Sequence, residues 1–222
     1  MSTPGVRSEP RRAGDAPPGA SPGGSPSATS TRQRIIQCAA RLFAAEGYDR
    51  TPVTAIEKAA GLSPGAGGLY RHFSSKYAIL EAVVDQAIAE SRAATTPVGP
   101  PPADLGEAAE VLARGAVEQL AAEMPLLAII LRDLPQFPEL MARAEREWFR
   151  RGQQLVVDWL RHYQAEGGLR SDLDLEATAV AIMGMLLYQP MMTWVTGVEP
   201  LGVSRERIVA AVRLLLGQLA AR

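Results

Sequence analysis

Thr51-Pro-Val-Thr-Ala-Ile-Glu-Lys-Ala-Ala-Gly61-Leu-Ser63-Pro-Gly-Ala-Gly-Gly-Leu-Tyr70-Arg-His-Phe-Ser-Ser-Lys76 reads as two short helices joined by a tight turn and closed by an aromatic-basic cluster. Thr51 is placed to cap the first helix with Pro52 at its first helical position, and Ser63 to cap the second with Pro64 in the same role. Gly61 falls where a helix end wants a left-handed residue. Two capped helices joined by two or three residues make a helix-turn-helix unit, whose second helix enters a major groove.

Upstream, Ile35, Ile36, Ala39, Leu42 and Phe43 recur at helical spacing until Gly47, which predicts a first helix from Thr31. Tyr48 packs back on the same core, and Cys38 continues its face as a small core or boundary residue. Residues 1–30 hold six Pro, five Gly and six Ser, a composition too poor in large apolar side chains to offset ordering entropy, so a disordered tail is expected.

Downstream, a fourth helix is expected from Ser74 or Ser75 to about Ala94, on the stripe Ile79, Leu80, Val83, Val84, Ala87, Ile88. Pro97, Pro100, Pro101 and Pro102 break helicity. Further helices are predicted at about 105–122, 125–133, 138–166, 172–196 and 203–221. The domain reading is a tail over 1–30, a helix-turn-helix domain over 31–76, and a helical effector-binding and dimerisation domain over 77–222.

Composition agrees with an all-α fold. The chain has 222 residues, 47% hydrophobic and only 5% aromatic, and no segment alternates as a strand would. Residues 31–76 carry seven basic against three acidic groups, a net +4, while residues 77–222 carry a net −6. A basic module on an acidic body suits a protein that presents one end to phosphates. The single cysteine excludes a disulfide framework, and without Cys-x-x-Cys there is no thiolate metal site. No cofactor is called for. The start of the chain lacks the apolar core of a signal peptide, so the cytoplasm is the expected compartment.

Residues 177–198 contain no charge over a length that could span a membrane. Gln189-Pro190 interrupts that run and threonines soften it, so it is read as a helix buried both by its own domain and by a partner. With Ile208, Val209, Val212, Leu214, Leu215, Leu216 and Leu219 it is expected to form half of a four-helix homodimer interface over about 172–221.

Ile35-Ile36, Ala39-Ala40, Leu42-Phe43, Gly47-Tyr48, Thr51, Val53, Ile56, Ala60-Gly61, Ser63, Gly65, Leu69-Tyr70, His72-Phe73 and Ser75-Lys76 together resemble the amino-terminal domain of the tetracycline-repressor (TetR) family of bacterial transcriptional regulators. The resemblance covers about 50 residues. It implies an all-α homodimer with a three-helix DNA-binding head and a larger helical body, which binds a small molecule and releases a palindromic operator. By position it implies phosphate contacts from Thr51 and Pro52, from Ser63 and Pro64, and from Tyr70, His72 and Lys76. Gly65, Ala66, Gly67 and Gly68 would face the bases. Leu69 and Phe73 are assigned to the core. One departure stands out: eight residues separate Gly61 from Tyr70 where the common pattern has six, so Gly67-Gly68 lengthens the reading segment, and each glycine costs a helix roughly 1 kcal/mol relative to alanine.

For the effector, an apolar or amphipathic small molecule, Trp148, Trp159, Tyr163, Met185, Tyr188, Met192 and Trp194 are the candidate lining. Arg132, Asp133, Glu147 and Gln189 are candidates for polar orientation. Two other classes fit parts of the pattern. Gly61-Leu-Ser-Pro-Gly65 also matches the Gly-x-Ser-x-Gly elbow of serine hydrolases, but an elbow needs a strand before the serine, and Val53, Ile56 and Ala60 follow a helical period. A helical scaffold without DNA binding would leave Tyr70 and Lys76 without a role.

Overall fold

The structure, a computed structural model, describes Met1 and residues 30–94, 102–198 and 202–221. The expected tail and most of the Pro-rich stretch lie outside the described residues. The rest is helical: α1 Thr31–Glu46, α2 Val53–Ala59, α3 Lys76–Ala94, α4 Leu105–Arg132, α5 Pro138–Ala144, α6 Arg150–Ala165, α7 Leu175–Thr196 and α8 Arg205–Gln218. Among the described residues there is no strand, only an isolated bridge between Leu169 and Ala220.

Most helices begin on a side-chain cap. Ser30, Asp104, Asp174 and Ser204 each accept the N–H three residues on. Ser75 does the same for Ala78 at the head of α3. The end of α2 is closed by Gly61 at φ +71°, with Gly61 N–H on the Lys58 carbonyl and Leu62 N–H on that of Glu57, the paired bonds that a left-handed glycine permits.

One predicted break is absent and one unpredicted interruption is present. Pro125 lies inside the 28-residue α4 rather than separating two helices. It is exposed while residues 126–130 are buried, so its ring is accommodated on the solvent side and only one backbone bond is forgone. The expected helix over 138–166 is instead α5 and α6 joined by one wide π turn, Glu145–Phe149.

A single apolar core runs from Ile35 in α1 to Leu216 in α8. α4 is its spine, packing most extensively on α8 and also on α1, α3 and α7. α7 departs from a buried helix: only 22% of its most apolar window is buried. Its own domain covers Ala179, Ile182, Leu186 and Gln189, whereas Val180, Tyr188 and Val195 are more than half exposed.

Candidate nucleic-acid interface

The amino-terminal end is built on α1. Ile35, Ala39 and Phe43 are fully buried, and against them pack Ile56 from α2, Leu69 and Phe73 from the following turn, and Ile79 and Leu80 from α3. The expected core assignments of Leu69 and Phe73 thus match their burial, and Arg32 lies 4.7 Å over the Phe73 ring. Cys38 is also buried, its Sγ 3.2 Å from the Ala59 carbonyl.

Thr51 does not cap α2. Its hydroxyl is fully buried and donates to the Gly47 carbonyl at 2.7 Å, closing the end of α1 instead. A buried hydroxyl needs an acceptor, and the last carbonyls of a helix have none of their own. Pro52 then precedes the helix, which starts at Val53.

Ser63 and Pro64 do not open a helix either. Residues 62 and 63 are irregular and 64–68 run through turns and bends, followed by one 3-10 turn at Leu69–Arg71. Gly65 and Gly67 stand at φ +77° and +71°, a region that an α-helix does not use. The glycine-lengthened segment therefore stays unwound in the unbound chain. Around it Ser63, Pro64, Gly65, Ala66, Tyr70 and His72 are exposed, and Gly67 and Gly68 half-buried. Tyr70 is 57% exposed, which places it outside the core.

Lys76, at the start of α3, lies 4.3 Å over the ring of Tyr48 and 3.4 Å from the Asp49 carbonyl. Partial burial lowers its pKa, opposed by the fields of Asp49 and Asp133. Tyr48 in turn meets Phe43 and Phe137, with ring centroids 5.5 and 5.1 Å apart, and burial raises its pKa.

Sequence reasoning missed two groups. Glu57 is a buried carboxylate whose Oε2 accepts the Gly65 N–H at 2.8 Å. The signal was present: Val53, Ile56, Glu57 and Ala60 fall at helical spacing on one face. The second group is Arg132 and Asp133, read as candidates for holding an effector. Arg132 instead donates to the carbonyls of Phe43 and Ala44, which end α1, and to buried Asp133. Glu147 pairs with Arg92 at 3.0 Å.

The seven candidates for an effector lining do not converge on one cavity. Trp148 is buried in the π turn, its Nε1 donating to Glu123 at 3.0 Å. Trp159 and Tyr163 stack 4.5 Å apart on α6, and the Tyr163 hydroxyl donates to the Pro102 carbonyl at 2.5 Å. Met185 and Tyr188 line an open groove of about 560 Å³ between α7 and α8, with Val203, Arg207, Ile208 and Ala211. Met192 and Trp194 are half-buried further along α7. Aromatic and Met residues at helical spacing serve this core in several places.

Ser63 follows a helix and a turn rather than a strand, so the strained strand-to-helix elbow is not formed there.

Comparison with known proteins bears on the whole of this architecture. Residues 35–83 match the model of the bacterial regulatory proteins of the tetR family, and residues 119–217 match the AefR-like transcriptional repressor C-terminal domain. The regulator UidR of Escherichia coli K12 is 39% identical over 59 residues, which span 27% of this chain and 29% of that protein. The transcriptional repressor KstR2 of Mycolicibacterium smegmatis is 29% identical over 160 residues, 66% of this chain and 71% of that protein. A TetR transcriptional regulator from Chloroflexus aurantiacus shares the fold, with a TM-score of 0.71 at 21% identity over 86% of this chain and 96% of that one. A basic amino-terminal end and a helical body, each matching its own part of one family, leave a single conclusion: the chain belongs to the TetR family of DNA-binding transcriptional regulators.

Proposed function

We propose that the chain is a homodimeric repressor that holds a palindromic operator and releases it when an apolar or amphipathic small molecule enters the body. The division is a DNA-binding head over 31–76 and an effector-binding and dimerisation body over 77–222, acting in the cytoplasm. The observation that carries the dimer is the bare apolar face of α7 and α8. Val180, Tyr188 and Val195, on a helix without a charge from 177 to 196, and Leu214 on α8 are all more than half exposed. An exposed patch of this kind marks an interaction surface, and a second copy of the same face is self-complementary. Met185 and Tyr188 then belong to the interface. Trp148, Trp159 and Tyr163 stay as the candidates nearest an effector.

At the head, the exposed Tyr70 and His72 reach phosphates as donors and Lys76 as a cation, while Ser63, Pro64 and residues 65–68 meet the groove. Thr51, being buried, acts through the backbone around it, and Pro52 fixes the start of α2. Residues 132–137 of the body touch both α1 and Tyr48, so a shift of the body on effector binding is passed to the head.

Light scattering on the full chain tests the assembly. Twice the chain mass is expected, with Tyr188→Glu plus Leu214→Glu giving a folded monomer that no longer retards operator DNA. A wild-type monomer that binds operator DNA would contradict the reading.

A further inference from the structure

Glu57 sits on the inward face of α2 and is 1% exposed. Its Oε2 accepts the Gly65 N–H at 2.8 Å, while its Oε1 is buried with no hydrogen-bond partner among the described residues. Burying a carboxylate with half of its acceptor capacity unused costs stability. Such a group is accounted for by a state in which the second oxygen is used.

The backbone facing it identifies that state. If the segment winds into the helix that Ser63 and Pro64 are suited to open, Pro64 brings no N–H, and the N–H groups of Gly65 and Ala66 have no partner within the helix. The first is already on Glu57. The second makes only a long turn bond, 3.3 Å, to the Ser63 carbonyl. The far end is already partly wound, since the Phe73 N–H reaches the Leu69 carbonyl at 3.1 Å. Gly65 and Gly67 can leave their positive φ for helical values at little steric cost.

We propose that Glu57 is the N-terminal cap of the DNA-reading helix, contributed by α2 rather than by the helix itself. On DNA, residues 64–72 wind up, Oε1 takes the Ala66 N–H, and Oε2 keeps that of Gly65. The exposed Ser63 hydroxyl is then left to a phosphate instead of being spent as a cap. A carboxylate at the positive end of the new helix also complements its dipole. Glu57 is thus a positioning residue for sequence readout, and this rests on the assignment of residues 63–68 to the groove.

The test uses the full chain, as wild type, Glu57→Ala and the isosteric Glu57→Gln. The probes are a duplex that the wild type enriches from a random pool and an unrelated duplex of equal length. Glu57→Ala is expected to lose roughly tenfold to a hundredfold on the enriched duplex, the scale of a charged cap. It keeps its affinity for the unrelated duplex, and without DNA it melts no lower than wild type. Glu57→Gln, with one acceptor oxygen, falls between. Circular dichroism shows a gain of helix on the enriched duplex for wild type and none for Glu57→Ala. Wild-type affinity in Glu57→Ala would overturn the proposal, as would equal losses on both duplexes with a lowered melting point, the mark of a plain structural role. If amide exchange in the wild type shows no protection of residues 63–68 on the enriched duplex, the groove assignment itself fails, and the cap with it.

Discussion

The ring of Phe137 meets that of Tyr48 edge-on, with centroids 5.1 Å apart and planes at 82°. Phe137 follows the turn after α4 and also touches Tyr77 at 5.2 Å, while Lys76 lies over the Tyr48 ring. One side chain of the body therefore seats both the tyrosine and, through it, the lysine of the amino-terminal end. Phe137→Ala removes this half-buried ring and is expected to cost about 2–3 kcal/mol in urea unfolding, at the lower end for a truncated phenylalanine. It also weakens operator binding through a mobile Lys76. Unchanged unfolding and binding would show that the joint carries neither role.

Arg132 ties the end of α4 to the end of α1, and its loss takes a donor from the Ala44 carbonyl and the partner from the buried carboxylate of Asp133. Arg132→Ala is expected to destabilise by about 3 kcal/mol, because an uncompensated buried charge is left behind. Adding Asp133→Asn relieves that charge, so the double variant loses less than the sum of the two single ones in chemical denaturation. Additive losses would mean that the pair is not coupled.

The two added glycines differ in conformation. Gly67 holds φ +71°, where an alanine costs about 1–2 kcal/mol. Gly68 is at φ −59°, ψ −37°, and a Cβ there would meet only Leu62 at 3.9 Å. Gly67→Ala plus Gly68→Ala therefore disfavours the unwound segment and favours a helix. The double variant is expected to change affinity or sequence preference in fluorescence anisotropy, and unaltered operator binding would sink the idea.

Tyr70→Ala and Lys76→Gln separate neutral from charged phosphate contacts. Both are expected to weaken binding by a similar factor on every sequence. Only Lys76→Gln lowers the slope of log K against log salt, by about one for each head. An unchanged slope would remove Lys76 from the set of phosphate contacts.

The helices were legible from their periodicity. Gly61 marks its turn, whereas the caps Ser30, Asp104, Asp174 and Ser204 that fix the helix starts emerge only in the structure. What the sequence hid depends on contacts distant along the chain. The buried hydroxyl of Thr51 finds the Gly47 carbonyl, which outweighs its capping propensity. Pro125 is carried within α4 because its neighbours on either side are held by packing. Arg132 reaches a carbonyl 88 residues away, and no local pattern announces that. Over 65–68 the glycine run does predict weak helicity, and the unwound turns and bends of 64–68 follow from it. The scattered aromatics illustrate the opposite case, since their spacing is that of any core helix.

In the proposed repressor two copies of the basic head read one DNA site together, which sequencing the genomic fragments that the full chain enriches at near-physiological salt would reveal. An inverted repeat is expected, with half-sites centred about one helical turn apart, roughly 34–36 Å. Enrichment of single, unpaired sites, or of no sequence at all, would contradict it.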